Sequence, residues 1–334
     1  MSASANPTIS RDDTVTIAIM GATGSGKSTF VNRASNSRLE ESGSLESCTD
    51  NVVVAEPFLL DGKVVTLIDT PGFDDTTKTE AEVLGLISAF LSATYKQGRT
   101  LNGVIYMQNI TIHRMGGMAR KNFRLFRKLC GDATLKNVLI ATNMWSDVNP
   151  TLAAQREREM AEKDIFFKSA IEKGARMVRH DNTVESAHRI IREIMGFTPA
   201  PLQIQRETVD ENKPLPETDA GQDVKAGLEE QLTRYKTEVA ELRGTIQELL
   251  QAKDDKHRED LQELREAMRD LQGQLTKVQA EAHRLREEHE ASRREYEEKM
   301  GRMAEAMAAR EAELRMAREA RARRGCAEGR GRTA

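Results

Sequence analysis

Cysteine is scarce in this sequence: three residues, Cys48, Cys130 and Cys326, lie far apart in a chain of 334. None stands at C-x-x-C spacing, so neither a disulfide framework nor a cysteine metal site is expected, and the usage suits a reducing compartment. No apolar run approaches the roughly 20 residues that span a bilayer, so no transmembrane segment is expected. Residues 1–13 are polar and lack the apolar core of a signal peptide. Position 2 is serine, where myristoylation needs glycine, and the chain ends Gly331-Arg332-Thr333-Ala334 without a prenylation box. A cytoplasmic protein is the expectation. Net charge is only −3, so no global field draws a polyanion, and no specific nucleic-acid partner is expected.

Proline is also rare, and its placement divides the chain. Four of the eight prolines, Pro199, Pro201, Pro214 and Pro216, fall within residues 198–223 among Glu, Thr, Asp and Asn. That composition predicts a semi-extended, disordered linker. Before it, residues 13–197 alternate strand-like and helical runs behind a disordered 1–12. Strands are expected at 14–20, 51–60, 63–68, 103–107, 137–141 and 175–178. Helices fit 78–95, 118–130, 152–172 and 183–195, the last opened by a capping box of Asn182 and Glu185. Asp61-Gly62 between two apolar runs is a hairpin signal, so one strand should lie antiparallel in an otherwise parallel sheet. The expected class is α/β.

What the chain does have is concentrated at residues 21–28. Gly21-Ala22-Thr23-Gly24-Ser25-Gly26-Lys27-Ser28 spells G-x-x-x-x-G-K-S. It follows a β-branched run, Thr14-Val15-Thr16-Ile17-Ala18-Ile19-Met20, and precedes a segment able to start a helix. Strand, glycine loop, helix is the order phosphate binding needs, because glycines let successive N–H groups face one phosphate and the helix start adds its dipole. Lys27 would reach the β- and γ-phosphates and the Ser28 hydroxyl would ligate Mg²⁺. A second motif, Asp69-Thr70-Pro71-Gly72, ends the run Val64-Val65-Thr66-Leu67-Ile68. Asp69 can hold a Mg²⁺-bound water there, and Gly72 can offer its N–H to the γ-phosphate. The phosphate-binding set is therefore Gly21, Ala22, Thr23, Gly24, Ser25, Gly26, Lys27, Ser28, Thr29 and Gly72. Between the motifs, Thr49 could close on Mg²⁺ when triphosphate is present, with Ser47 as its rival. The metal set reads Ser28, Thr49 and Asp69.

These residues carry a resemblance. The two motifs, the hairpin and Phe73-Asp74-Asp75 resemble the septin-like branch of GTPases, which includes the immunity-associated and chloroplast-import GTPases. Arg114-Met115-Gly116-Gly117, residues 122–131, Thr142-Asn143-Met144-Trp145 and residues 179–186 are similar to a large group of fungal G-domain proteins, many with a C-terminal coiled coil. The resemblance spans residues 13–197. It implies a Ras-like P-loop NTPase domain that binds GTP or GDP with Mg²⁺. Asn143 stands where such domains begin their guanine motif, but Met144 replaces lysine and the aspartate is missing or displaced to Asp147. Trp145 could stack on a base or be core, and His180 could border it, so the base candidates are Asn143, Trp145 and His180. ATP stays open as the alternative nucleotide. Phe73 follows Gly72 where a water-orienting glutamine would stand, which implies slow hydrolysis. His113 and Arg114, on a loop, are the candidates to speed it across a dimer, as the immunity-associated relatives imply.

Leu228, Leu232, Tyr235, Val239, Leu242, Ile246 and Leu249 recur in steps of four and three, a heptad seam. The seam slips by one at Leu250 and continues from Leu261 to Leu285, with the polar residues 253–260 over the junction. A coiled coil over 224–309 is expected, pairing subunits or recruiting a protein partner. From Arg310 eight arginines face four glutamates, which reads as a basic, disordered tail over 310–334. A homodimeric GTP-binding switch is the leading reading. A non-hydrolysing scaffold is the alternative from another class, opposed by intact Lys27, Ser28, Thr49 and Asp69.

Overall fold

The computed structural model describes residues 14–39, 51–75, 77–112, 116–251 and 258–330. Its elements are β1 (Thr14–Gly21), α1 (Lys27–Ser35), β2 (Val53–Val54), β3 (Phe58–Leu60), β4 (Lys63–Asp69), α2 (Glu80–Lys96), β5 (Gly103–Asn109) and α3 (Gly117–Cys130). There follow β6 (Val138–Asn143), α4 (Pro150–Glu162), α5 (Lys168–Glu172), β7 (Arg176–Arg179), α6 (Val184–Met195), α7 (Gln203–Gln205), α8 (Asp219–Gln251) and α9 (Arg258–Arg330). The sheet order is β2-β4-β1-β5-β6-β7, with β3 also paired to β4. All pairings are parallel except those of β2 and β3 with β4. This is the Ras-like GTPase fold followed by long helices. β2 and β3 are pieces of one hairpin arm, whose register against β4 shifts by one residue between Val53↔Asp69 and Phe58↔Val65. Such a shift is a bulge, which bends the arm at the sheet edge. Asp61 and Gly62 make the turn with φ of 47° and 79°.

Strand alternation sends side chains to two cores. Ile17, Ile19, Val65, Leu67, Ile105 and Leu139 pack with Phe30 and Val31 of α1 and Ile190, Ile191 and Ile194 of α6. Ala18, Met20, Ile68, Val104, Tyr106 and Ile140 pack with α2 and α3. The α6 cap is Thr183, whose hydroxyl accepts from Ser186 N, and not Asn182, which turns the chain at φ 63°. The reciprocal capping box is instead on α2, between Thr79 and Glu82. The single helix expected over 152–172 is two, because Phe167 turns inward between α4 and α5 to meet Phe123 edge-on at 4.5 Å.

Three expectations for the C-terminal part are corrected. Residues 198–223 are folded against α2 and α3 and are not a loose linker. Leu202, Ile204 and Leu215 are buried there, and the polar residues have specific partners. Gln205 Nε2 donates to Leu91 O at 2.9 Å, and the Ser92 and Thr208 hydroxyls bond at 2.7 Å. The heptad seam is satisfied within one chain: Leu228, Leu232, Tyr235, Val278, Ala282 and Leu285 join the α2–α3 core. The seam's slip at Leu250 coincides with the end of α8 at Gln251. Nor is the tail disordered where described, since α9 is helical to Arg330. α9 runs along α2: Arg284 Nη1 meets Glu82 Oε1 at 2.6 Å near the start of α2, and Glu311 meets Arg99 at 2.9 Å beyond its end. No helix among the described residues is long and apolar enough to cross a membrane.

Candidate nucleotide site

β1 runs into the loop at Gly21, whose φ is 143° and where a β-carbon would lie 2.5 Å from the Met107 carbonyl of β5. Only glycine lets the loop leave the sheet so close to its neighbour. Gly26, at φ 89°, is the N-cap of α1, so loop amides and helix start converge on one point. Lys27, the first residue of α1, is buried, and its Nζ donates to Ala22 O at 2.8 Å. Burial lowers its pKa, and the nearby Asp69, Asp74 and Asp75 carboxylates oppose that. Ser28 Oγ donates to Asp69 Oδ2 at 2.6 Å, which joins the loop to the end of β4. Burial raises the Asp69 pKa, against the Ser28 hydrogen bond and the Lys27 charge. Asp69 Oδ1 is buried without a hydrogen-bond partner among the described residues. Thr29 follows in the first turn of α1.

The segment after Asp69 is tied down at each step. Thr70 Oγ1 donates to Ile19 O at 2.8 Å, and Phe73 is buried in the α2 core. Asp75 Oδ1 accepts from Thr77 N and Lys78 N, at 2.7 and 3.0 Å, which shapes the turn into the capped α2. Asp74 Oδ1 accepts from Thr23 N in the phosphate loop at 2.6 Å. No role follows for Asp74 from the motifs alone. The available signal was the pair of carboxylates Asp74-Asp75, one residue beyond the D-x-x-G glycine.

At the other end of the loop stands Asn143, the last residue of β6. Its side chain lies against Gly26, with Nδ2 3.5 Å from Ser25 O, while its Oδ1 accepts from Met144 N at 2.7 Å. The other two base candidates are not beside it in the same way. Trp145 is half-buried against the α2–α3 core, its Nε1 donating to Thr142 O at 3.1 Å. The Arg179 guanidinium covers its ring at 4.2 Å, itself held by Glu157. His180 is buried edge-on to Phe30 of α1 at 5.0 Å and shares a 2.7 Å hydrogen bond with Ser186. Burial holds its pKa down to about 4. Of the three, Asn143 is the one that touches the phosphate loop. Asp147, the displaced aspartate, is exposed and bonded to Ser146. Thr49, His113 and Arg114 lie outside the described residues.

Residues 16–143 match the family described as 50S ribosome-binding GTPase, a stretch from β1 through Asn143 that is less than half of the chain. No curated protein matches it. Among solved structures, Toc33 from Arabidopsis thaliana in complex with GDP and Mg²⁺ is similar at 15% identity and a TM-score of 0.45, covering 55% of this chain and 83% of that one. A variant of Era from Aquifex aeolicus bound to GDP and AlF₄⁻ is similar at 15% identity and a TM-score of 0.40, covering 56% of this chain and 58% of that one.

Proposed function

We propose that this protein is a GTP-binding switch of the septin-like kind, a G domain working with Mg²⁺ in the cytoplasm and hydrolysing GTP slowly. The observation that carries the reading is the convergence of Lys27, Ser28 and Asp69. A buried ammonium, a hydroxyl and a carboxylate meet at the mouth of a glycine loop, with Ser28 Oγ 2.6 Å from Asp69 Oδ2. The donor set fits Mg²⁺, which takes oxygen ligands and holds one or two carboxylates or hydroxyls alongside phosphates and water. Asp69 Oδ1, without a hydrogen-bond partner among the described residues, has a lone pair to offer such a metal-bound water. When bound, the metal neutralises charge between the two outer phosphates. Lys27 would hold the β- and γ-phosphates, the Gly72 N–H the terminal one, and Asn143 would brace the base side of the loop. Thr49 is proposed as the residue that closes on the metal.

Guanine over adenine rests on the GTPase family match over residues 16–143. Asp147, one position late and exposed, makes the guanine contact the weakest part of the site, and ATP is the second reading for that reason. Slow turnover follows from Phe73, which is apolar and turned into the core, so that it orients no water. Speed would come from a second copy across the nucleotide face, with His113 and Arg114 as candidates. The seam of α8 and α9 is spent inside the chain, so self-association is proposed through the G domain.

Titration calorimetry of the full chain with GTP and ATP, with and without Mg²⁺, tests the reading. GTP should bind more tightly than ATP and more tightly with Mg²⁺ than without. Lys27→Ala should weaken GTP at least about 100-fold, the scale of losing a charge-assisted phosphate contact, with an unchanged circular dichroism spectrum. Preference for ATP replaces GTP in the reading, and full affinity in the Lys27 variant sinks the phosphate site.

A further inference from the structure

The phosphate loop has a polarity fixed by its neighbours. At Gly26 it touches Asn143, on the base side. At Thr23 it touches Gly72, so closely that a β-carbon on Gly72 would lie 2.5 Å from Thr23 N. Gly72 is the glycine assigned to the terminal phosphate, so the Thr23 end addresses that phosphate and the Gly26 end those nearer the nucleoside. At the Thr23 end an anion is already in place. The Asp74 carboxylate accepts from Thr23 N at 2.6 Å, and its charge acts on the Lys27 ammonium.

We propose that Asp74 is a specificity-determining residue, a built-in competitor for the terminal phosphate that lowers affinity for the nucleoside triphosphate and leaves the diphosphate untouched. This rests on the nucleotide reading above. A carboxylate and a phosphate oxygen make the same demand on a loop N–H: one negative acceptor within hydrogen-bond reach. They cannot share one N–H at full strength, and both carry negative charge. Asp74 competes effectively because it is held. Phe73 anchors the residue before it in the core, and the Asp75 turn fixes the residue after it, with Thr77 N at 2.7 Å. Beyond that turn α2 begins at its Thr79–Glu82 box, and Arg284 of α9 pairs with Glu82 at 2.6 Å. A tethered and ordered anion has little further entropy to lose on docking, so it competes far better than a free one. The diphosphate places nothing at the Thr23 end and has no quarrel with Asp74. The triphosphate must first move it, and with it the start of α2.

The test uses the full chain, a non-hydrolysable GTP analogue, GDP, and the variants Asp74→Asn and Asp74→Ala. If the site is competent only when Asp74 is displaced, apparent affinity falls by the displaced fraction. Removing the carboxylate should therefore tighten the analogue by about tenfold, more in the alanine variant than in the asparagine one, with GDP affinity within about twofold of wild type. No change in the ratio, an equal change for both nucleotides, or a loss of analogue affinity each overturns the proposal. Hydrogen exchange of the peptide spanning Thr23, without nucleotide, gives a second reading. The Thr23 amide should exchange faster in the alanine variant, and equal exchange overturns the proposal too. If wild type binds neither nucleotide the GTP reading fails, and the exchange measurement alone then decides whether Asp74 occupies the loop.

Discussion

The two faces of the central sheet are closed in different ways. On one face α1 and α6 suffice: Phe30, Val31, Ile190, Ile191 and Ile194 complete the core from residues before 197. On the other face α2 and α3 form a first layer that is itself covered. Residues 202–228 and α9 lie over it and contribute Leu202, Ile204, Leu215, Val224, Leu228, Val278 and Leu285 to the same core. The uncovered face carries the phosphate loop's helix, while the doubly covered face carries α2, which follows Asp69–Gly72 and Asp74 directly. The C-terminal third is therefore the outer wall of α2, the helix that follows the Asp69–Gly72 motif. A stalk that merely held the G domain at a distance would leave α2 wet.

Cutting the chain after residue 197 should break this comparison most severely. The seven apolar side chains named above would be lost or their partners bared, and at about 1.5–3 kcal/mol each that is on the order of 10 kcal/mol before entropy is credited. Such a sum rivals the whole stability of a domain, about 5–15 kcal/mol. The 1–197 fragment should melt at least about 10 °C below the full chain or fail to stay soluble, and should bind a hydrophobic dye. A fragment that melts within about 5 °C of the full chain would show that the second face closes without its cover.

The sequence was most legible where structure is local. The glycine loop, the Asp69–Gly72 motif and the Asp61-Gly62 turn each depend on a few adjacent residues, and each stands where its residues predict. The cover over α2 was not legible, for two physical reasons. Composition treats Gln205, Glu207 and Thr208 as solvated, yet each is buried with a named partner, Glu207 accepting from Asp219 N at 3.2 Å. A heptad seam states that a helix has a partner without saying whose, and here Leu228 and Leu285 are served by the same chain. One cue was readable. Between Glu82 and Lys96, α2 carries no charge, and a helix apolar all round must be buried all round. At the site, Asn143 was legible from its place at the end of β6, whereas the contact of Asp74 with Thr23 at 2.6 Å is one that no spacing encodes.

A middle-sized effect should appear on the α1–α6 face as acidity. His180 is buried against Phe30, and burial brings its pKa down to about 4 from the usual 6.5. Its neutral form is the folded one, so between those values the unfolded chain binds more protons and stability rises with pH. The contribution is complete above about 6.5 and is lost as pH falls toward 4, by about 3 kcal/mol at most. Urea unfolding across that window should show the slope in wild type and a shallower one in His180→Gln. An unchanged slope would mean the imidazole is not the titrating group, and the α1–α6 face would lose its acid sensitivity as a distinction.

The smallest effect tests the far end of the cover. Glu311 of α9 is buried, its carboxylate accepting from Thr66 Oγ1 at 2.7 Å and from Arg99 at 2.9 Å. Thr66 is itself fully buried in β4, so its hydroxyl has exchanged water for this one acceptor. Glu311→Ala leaves that hydroxyl and a half-buried guanidinium without it, at a cost of about 1–3 kcal/mol. Thr66→Val in the same background should recover part of the loss, because the valine has nothing to satisfy, and a double-mutant cycle reads the coupling directly. The matching pair on the other side of the molecule, Arg192 and Asp61 at 2.7 Å, is exposed at both ends. Arg192→Ala, which breaks the pair without disturbing the left-handed turn at Asp61, should therefore leave the melting temperature unchanged within error, as solvent and salt already screen it. The contrast has a clear failing outcome: if Glu311→Ala is as silent as Arg192→Ala, then α9 is not seated on β4 at this point. Any coupling between the nucleotide site and α9 would then rest on the contacts nearer the start of α2, Val278 and Leu285 in the core and Arg284 with Glu82.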